Sequence, residues 1–256
     1  MKVNPPLTRS RIALVSGLAA LTVGTATFGQ SKSWWIDIAN DRDSPVRQEL
    51  RRGTDPNVAN EDKLPALMLA IRSGAWKVYD ALLADRRIKV DAENGNGETA
   101  LMYLALLGET ARAQALIAKG AKVNRLGWTP LHYAASKGKA DTVRMLLSKG
   151  AIVNAPAPDG TTPLMMAAYS GDRSVVQLLL DKGADPTAIN LGKLTAADWA
   201  RERRHTRLAE ELVAIAEQTA AKREGRPVAK PVPRAAESES GGTSKYFDLD
   251  RFEKED

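Results

Sequence analysis

The chain has no cysteine and only two histidines, and aromatic residues make up 5% of it. Without cysteine there can be no disulfide, thiolate zinc site, iron–sulfur cluster, cysteine nucleophile or cysteine-linked lipid. His132 and His205 are too few for a histidine-rich metal site, and no Asp or Glu stands at a repeated offset from either. No glycine-rich phosphate loop lies between a strand and a helix, and no serine sits in a Gly-x-Ser-x-Gly elbow. No catalytic residue, cofactor-binding residue or metal ligand is therefore assigned, and the expectation is a non-enzyme that uses no cofactor. Charge of one sign is also in small excess: 37 Lys+Arg face 31 Asp+Glu, a formal net charge of +6. What the chain does have is 43% hydrophobic residues in 256, enough to build a core and one or two domains.

Only one long apolar run is present. Residues 1–11 hold Lys2, Arg9 and Arg11 and no acid; residues 12–26 are uncharged and rich in Ala, Leu, Val and Gly. Small residues then allow cleavage after Ala26 or after Gly29. A basic start, a short apolar stretch and a small-residue exit define a secretory signal. Residues 1–29 are therefore expected to be a signal peptide, with a periplasmic or secreted destination and no stable membrane span after cleavage. A signal of this kind on a chain without cysteine fits a bacterial periplasm best. The alternative is an uncleaved signal that anchors the chain to a membrane. Cleavage removes three basic residues and no acid, leaving 34 against 31 and a net charge of +3. Half of the apparent basicity belongs to the export segment, so the hint of nucleic acid weakens and no nucleic-acid partner is expected.

The middle of the chain repeats itself. Gly74, Gly108, Gly138 and Gly171 follow one another at steps of 34, 30 and 33, and Gly120, Gly150 and Gly183 at steps of 30 and 33. Seven residues before each glycine of the first set stands a leucine: Leu67, Leu101, Leu131 or Leu164. Eight residues after each begins an apolar pair: Leu82–Leu83, Leu116–Ile117, Leu146–Leu147 or Leu179–Leu180. Within each unit the residues write out a helical hairpin. Thr129 and Thr162 can cap a helix by accepting a backbone N–H bond. Pro130 and Pro163 then occupy the first helical position, where no N–H is needed. Gly138 and Gly171 permit the positive φ that ends this first helix. Val143, Leu146 and Leu147 place apolar residues at i, i+3 and i+4 on a second helix, which Lys149 and Gly150 close. One hairpin cannot bury its own apolar face; stacked neighbours can.

The run Gly127–Trp128–Thr129–Pro130–Leu131–His132–Tyr133–Ala134–Ala135, and its partner Gly160–Thr161–Thr162–Pro163–Leu164, resemble the ankyrin repeat closely. The resemblance covers residues 33–218. It implies an all-α ankyrin-type repeat solenoid of about four full repeats between N- and C-terminal capping repeats. Upstream, Glu49 falls where interior units place leucine, which suits a face that meets water. Downstream, Thr195–Ala200 continues the motif, and Arg201–Arg207 gives the last unit a charged outer surface. That basic stretch is read as the solvated face of a capping helix, with an anionic-surface patch as the sharper alternative. Residues 219–256 hold eight basic and eight acidic residues, Pro231 and Pro233, Gly241 and Gly242, and a closing Tyr246–Phe247–Asp248–Leu249–Asp250–Arg251–Phe252. They are expected to form a disordered tail, in which the aromatic cluster is a candidate docking motif.

The resemblance also implies a function: non-catalytic protein–protein interaction, as a scaffold in the periplasm, through a preorganised concave surface. The alternative is an inhibitory or immunity-type protein that blocks a secreted or periplasmic enzyme. Side chains reaching the concave groove are expected about one, two, five and ten residues before each unit's first glycine. Those offsets select Leu106, Leu107, Trp128 and Tyr169 as an apolar stripe for a protein partner. Arg72 and Lys137 are charged neighbours, and Tyr103, Tyr133 and Met166 are semi-exposed. The short step between Gly108 and Gly138 removes about three residues from the loop at 124–126, next to this stripe. The resemblance further implies that His132 satisfies backbone groups between repeats. The chain is expected to be a monomer.

Overall fold

The computed structural model describes residues 32–225. The signal peptide expected at residues 1–29 and most of the tail expected at residues 219–256 lie outside the described residues. Among the described residues twelve α-helices follow in chain order and pair into six hairpins. The first hairpin is α1 (Lys32–Ala39) and α2 (Asp43–Arg51). Four interior hairpins follow: α3 (Ala66–Arg72) with α4 (Trp76–Ala84), and α5 (Ala100–Leu107) with α6 (Thr110–Ala118). Then come α7 (Pro130–Ser136) with α8 (Ala140–Ser148), and α9 (Pro163–Ser170) with α10 (Arg173–Asp181). The last pair is α11 (Ala196–Glu202) and α12 (Thr206–Arg223). First helices stack on first helices, α3 on α5 on α7 on α9 on α11, and second helices form an outer layer behind them. Among the described residues only two isolated antiparallel bridges occur, Ala59 with Pro65 and Glu93 with Thr99.

The caps are built from the residues the sequence offers. Thr99, Thr129, Thr162 and Thr195 each precede a first helix in extended backbone and form a capping box with the residue three further on. The acceptor that reaches back to the threonine N–H varies. It is the sulfur of Met102 and of Met165, Nδ1 of His132, and a carboxylate oxygen of Asp198 at 2.8 Å. One backbone need is thus met by three kinds of side chain, because only a lone pair at that point in space is required.

The core is continuous along the stack but divides on α5. Met102, Ala105 and Leu106, spaced i, i+3, i+4, face α7 and join the C-terminal cluster. Leu101 and Leu104 belong to the N-terminal one. This spacing explains why an interior first helix is apolar nearly all round: it has a neighbour on each side. At the N-terminal end Trp34, Ile38, Val46 and Leu50 are buried. Glu49 there takes bonds from Arg52 and Thr54 at the surface instead of packing.

Two details depart from expectation. The last helix does not stop at Gln218; it continues to Arg223, twice as long as the second helices of the interior hairpins. No glycine or proline interrupts residues 206–224, and Gly225 at φ +65° supplies the stop. Residues 219–223 are therefore helix and not tail. A second regularity is a side-chain clamp between loops. Asn57, Asn124 and Asn154 each accept a backbone N–H from the next unit, those of Lys89, Ile152 and Asp185, at 2.6–2.9 Å. Each also donates Nδ2 to a carbonyl of that unit, Arg87, Gly150 or Gly183. Asp91 occupies the same place and accepts from the N–H of Lys122 at 3.0 Å. The signal was present in the sequence as Val90–Asp91, Val123–Asn124 and Val153–Asn154, a polar residue recurring beside a valine.

Candidate functional site

The concave side of the stack is built from the C-terminal ends of the first helices and the loops that precede them. The offset one residue before each glycine behaves as expected, and the offset two before it only in part, since Leu106 and Ser136 are buried. One residue before it stand Leu107, Lys137, Ser170 and, in the last unit, Arg203; two before it stand Arg72, Ser136, Tyr169 and Glu202. Leu107 is 47% exposed, Arg72 is exposed, and Tyr169 and Lys137 are half-buried.

The farther offsets do not reach the groove. Tyr103, Tyr133 and Met166, expected to be semi-exposed, are 6%, 1% and 0% exposed, and Trp199 at the same place is 2%. This position points along the stack and not out of it: Tyr103 packs in the N-terminal cluster, Tyr133 reaches back to Glu98, and Trp199 meets Tyr169 of the preceding unit. Leu106 is corrected in the same way: at 4% exposure it belongs to the α5–α7 interface. The expected continuous stripe therefore reduces to Leu107, Trp128 and Tyr169. Ten residues before the glycine, Leu64, Glu98 and Thr161 are buried, while Trp128 is half-buried, as is Leu194 at the same place in the last unit. Here the shortened loop decides. With three residues fewer it closes tightly, leaves Leu126 97% exposed, and brings only part of the Trp128 ring under cover.

Beneath this surface lies a buried polar cluster that the offsets did not anticipate. Glu98 is 3% exposed. Its carboxylate accepts from the Tyr133 hydroxyl at 2.6 Å, from Asn94 Nδ2 at 2.8 Å and from the Tyr103 hydroxyl at 3.4 Å. Asn94 also takes the Glu98 N–H, closing the loop on itself. Arg125, from the shortened loop, caps the neighbouring loop by donating to the Gly97 carbonyl and pairing with Glu93 at 2.9 Å. Burial, followed by the neighbouring Tyr103 phenol, pushes the Tyr133 hydroxyl above its ordinary pKa, so it stays a donor. Two repeats are joined here through one buried carboxylate.

His132 performs the same joining role one unit on. Fully buried, it places Nδ1 at 3.2 Å from the Thr129 N–H and 2.9 Å from its hydroxyl, and Nε2 at 3.0 Å from the Thr161 carbonyl. The carbonyl can only accept, so Nε2 carries the proton and Nδ1 is the acceptor. Burial pushes the ring's pKa down to about 4, against the opposing pull of the Thr161 carbonyl and Asp159. A neutral imidazole with both nitrogens committed to structure has nothing left for acid–base work.

The C-terminal half of the concave side holds a cleft of about 700 Å³, lined by Lys137, Tyr169, Asp172, Glu202, Arg203 and Arg204 among others. Arg203 lies over the Tyr169 ring at 4.5 Å, and Tyr169 meets Trp199 edge-on at 5.7 Å. Trp128 meets His132 edge-on at 5.2 Å. Half-buried rings backed by other rings are held in place, and a cation on the Tyr169 face adds roughly 0.5–1 kcal/mol at such a site. The basic stretch of the last unit is thus not only a solvated face. Arg201 pairs with Asp198 at 2.6 Å, while Arg203 and Arg204 turn into the cleft. His205, half-buried, lines the same cleft, and its ring sits against Gly171. Among the described residues no group of three or more His, Asp or Glu could hold a metal ion. No helix there is long and apolar enough to cross a membrane.

Comparison with known proteins agrees with this architecture. The human transient receptor potential cation channel subfamily A member 1 is 34% identical over 77 residues. That stretch is 30% of this chain and 7% of the channel, so the likeness concerns a small part of that protein. The family model described as ankyrin repeats (3 copies) matches residues 36–126 and 122–190, more than half of the chain. With threonine-capped, glycine-closed hairpins stacked in register over the same residues, the chain belongs to the ankyrin repeat family.

Proposed function

We propose that this chain is a non-catalytic binding module that holds a protein partner on the C-terminal half of its concave side. Ankyrin repeats are in general protein–protein interaction modules, and the residues found here specify how this one works. The observation that carries the reading is the row of Leu107, Trp128 and Tyr169, flanked by Lys137, Arg203 and Arg204. Aromatic and apolar side chains partly open to water and rimmed by charge have the composition of an interface hot spot. They stand on helix ends fixed by caps and by the core, so little order has to be gained on binding. The signal-like segment at residues 1–29 supports export to a periplasm as the place of action. A mature chain lighter by about 2.9–3.2 kDa, from 26–29 residues at roughly 110 Da each, would carry that part of the reading; an intact mass would replace it with membrane anchoring.

The partner-binding test is affinity capture with three full-length proteins: wild type, Trp128→Ala and Leu107→Glu. The same partner should be captured by wild type and lost or weakened at least tenfold with both variants, each first shown to be folded by circular dichroism. Undiminished capture by both variants would remove the concave row from the binding site. The Leu107 position is chosen because its neighbour Leu106 is core, where a charge would unfold the hairpin pair.

A further inference from the structure

The cleft and the end of the chain are chemically matched. Residues 246–256 read Tyr-Phe-Asp-Leu-Asp-Arg-Phe-Glu-Lys-Glu-Asp. Five acids against two bases give this stretch a net charge of −3, and it contains two of the chain's three phenylalanines. The cleft offers the opposite balance: Lys137, Arg203 and Arg204 against Asp172 and Glu202, around the faces of Tyr169 and its Arg203 lid. Asp172 also serves its own helix. Its carboxylate accepts from the N–H groups of Ser174 and Val175 and from the Ser174 hydroxyl as the cap of α10.

The helix that borders the cleft also calls for an anion. α12 is 18 residues long, has no acid in its first turn, and its N-cap His205 makes no capping bond. The positive end of a long helix dipole therefore opens at the cleft without a carboxylate from its own first turn. Geometry permits the end of the chain to supply one. α12 carries the chain about 27 Å away from the cleft (18 residues at 1.5 Å). Its far end is tied to the α10–α11 loop by Arg223, which binds Asp185 and Thr187. Between Gly225 and Tyr246 lie 20 residues. Fully extended they reach about 66 Å, over twice the return distance.

From this we infer that residues Tyr246–Phe252 dock in the concave cleft of the same chain. Their aromatic rings pack beside Tyr169, and Asp248 or Asp250 faces Arg203, Arg204 and the start of α12. The inference rests on the partner-binding reading above and adds regulation to it: an external partner must displace the chain's own segment, so the segment sets a threshold of affinity and selects for partners of similar acidic-aromatic chemistry.

The test uses a fluorescent peptide of residues 244–256 and three full-length chains. These are wild type; a tail variant with Tyr246→Ser, Phe247→Ser and Phe252→Ser; and that tail variant with Lys137→Glu and Arg203→Glu added. An attached segment at about millimolar effective concentration, with an intrinsic affinity near 100 µM, competes about tenfold. The tail variant should therefore bind the peptide about tenfold more tightly than wild type. The charge-reversed chain should lose at least tenfold, and added salt should weaken binding. Equal or absent binding by wild type and tail variant, or undiminished binding by the charge-reversed chain, would overturn the inference. So would a wild-type dimer in sedimentation that the tail variant lacks, because the segment would then dock on a second copy. Capture of a partner by the tail variant while the peptide binds no chain would leave the partner-binding reading standing and remove only the tail. Peptide binding as expected with no partner captured would do the reverse.

Discussion

Acidification should destabilise this protein through His132. His132 is neutral and fully buried, with a pKa near 4 in the folded chain against 6.5 for an ordinary histidine. The unfolded chain therefore binds a proton that the folded chain refuses, and stability falls as pH drops from about 6.5 toward 4. Above that window the contribution is complete; below it no further loss comes from this ring. With those two values the loss is about 2 kcal/mol at pH 5, and about 3 kcal/mol once both states are protonated. Asp85, whose pKa is lowered by its bond from Arg87, loses its contribution only from its ordinary value of 3.8 downward, so it is silent in the window. The assay is urea unfolding of the full chain at pH 7.5, 6.5, 5.5 and 5.0. At a slope of roughly 2 kcal/mol per molar urea, the midpoint should fall by about 1 M between the first and last. The ring ¹⁵N shifts of folded His132 should meanwhile report a neutral, Nε2-protonated imidazole at pH 5.5. A ring that titrates above pH 6 in the folded protein, or a midpoint that does not move, would refute the reasoning.

Other consequences can be checked on the same material. Gly171→Ala should lower stability by at least ~2 kcal/mol, since φ is +75° and the new methyl collides with the His205 ring; Gly183→Ala, at φ +87° with nothing within 4 Å, should cost only the backbone strain of about 1 kcal/mol. Differential scanning calorimetry separates the two. Asn124→Ala removes two bonds to the next loop, at 2.7 and 2.9 Å, and should cost about 1–2 kcal/mol. Hydrogen exchange should quicken at Ile152, whose N–H loses its acceptor. Leu106→Glu should cost about 3 kcal/mol or more, because it buries a charge between α5 and α7, while Leu107→Glu stays within about 0.5 kcal/mol of wild type by thermal melting. Equal melting temperatures for this pair would contradict the burial boundary drawn between them.

Much of the fold was legible because its determinants are local. A threonine before a proline, a glycine at the helix end and an apolar pair eight residues later act within one hairpin, and their recurrence sets the number of hairpins. Even the role of His132 followed from its place in the repeat. The candidate site was less legible, for a physical reason that particular residues show. Leu106 and Leu107 are adjacent and chemically identical, yet one is core and the other surface. Tyr103, Tyr133 and Trp199 look like interface aromatics but are buried between adjacent units of the stack. Exposure at these positions depends on a neighbour some 30 residues away and on the length of the loop it carries, and no local pattern encodes that.

By itself, then, the sequence determined the repeat, its caps and the helical stack, since those follow from backbone preferences and periodic burial within each unit. Only the tertiary structure decided that the apolar stripe narrows to Leu107, Trp128 and Tyr169, that Glu98 and His132 join repeats instead of meeting a ligand, and that Arg203 and Arg204 turn into the cleft. Each of these depends on which side chains adjacent units bring within a few ångströms of one another, a property of the stack and not of the single repeat.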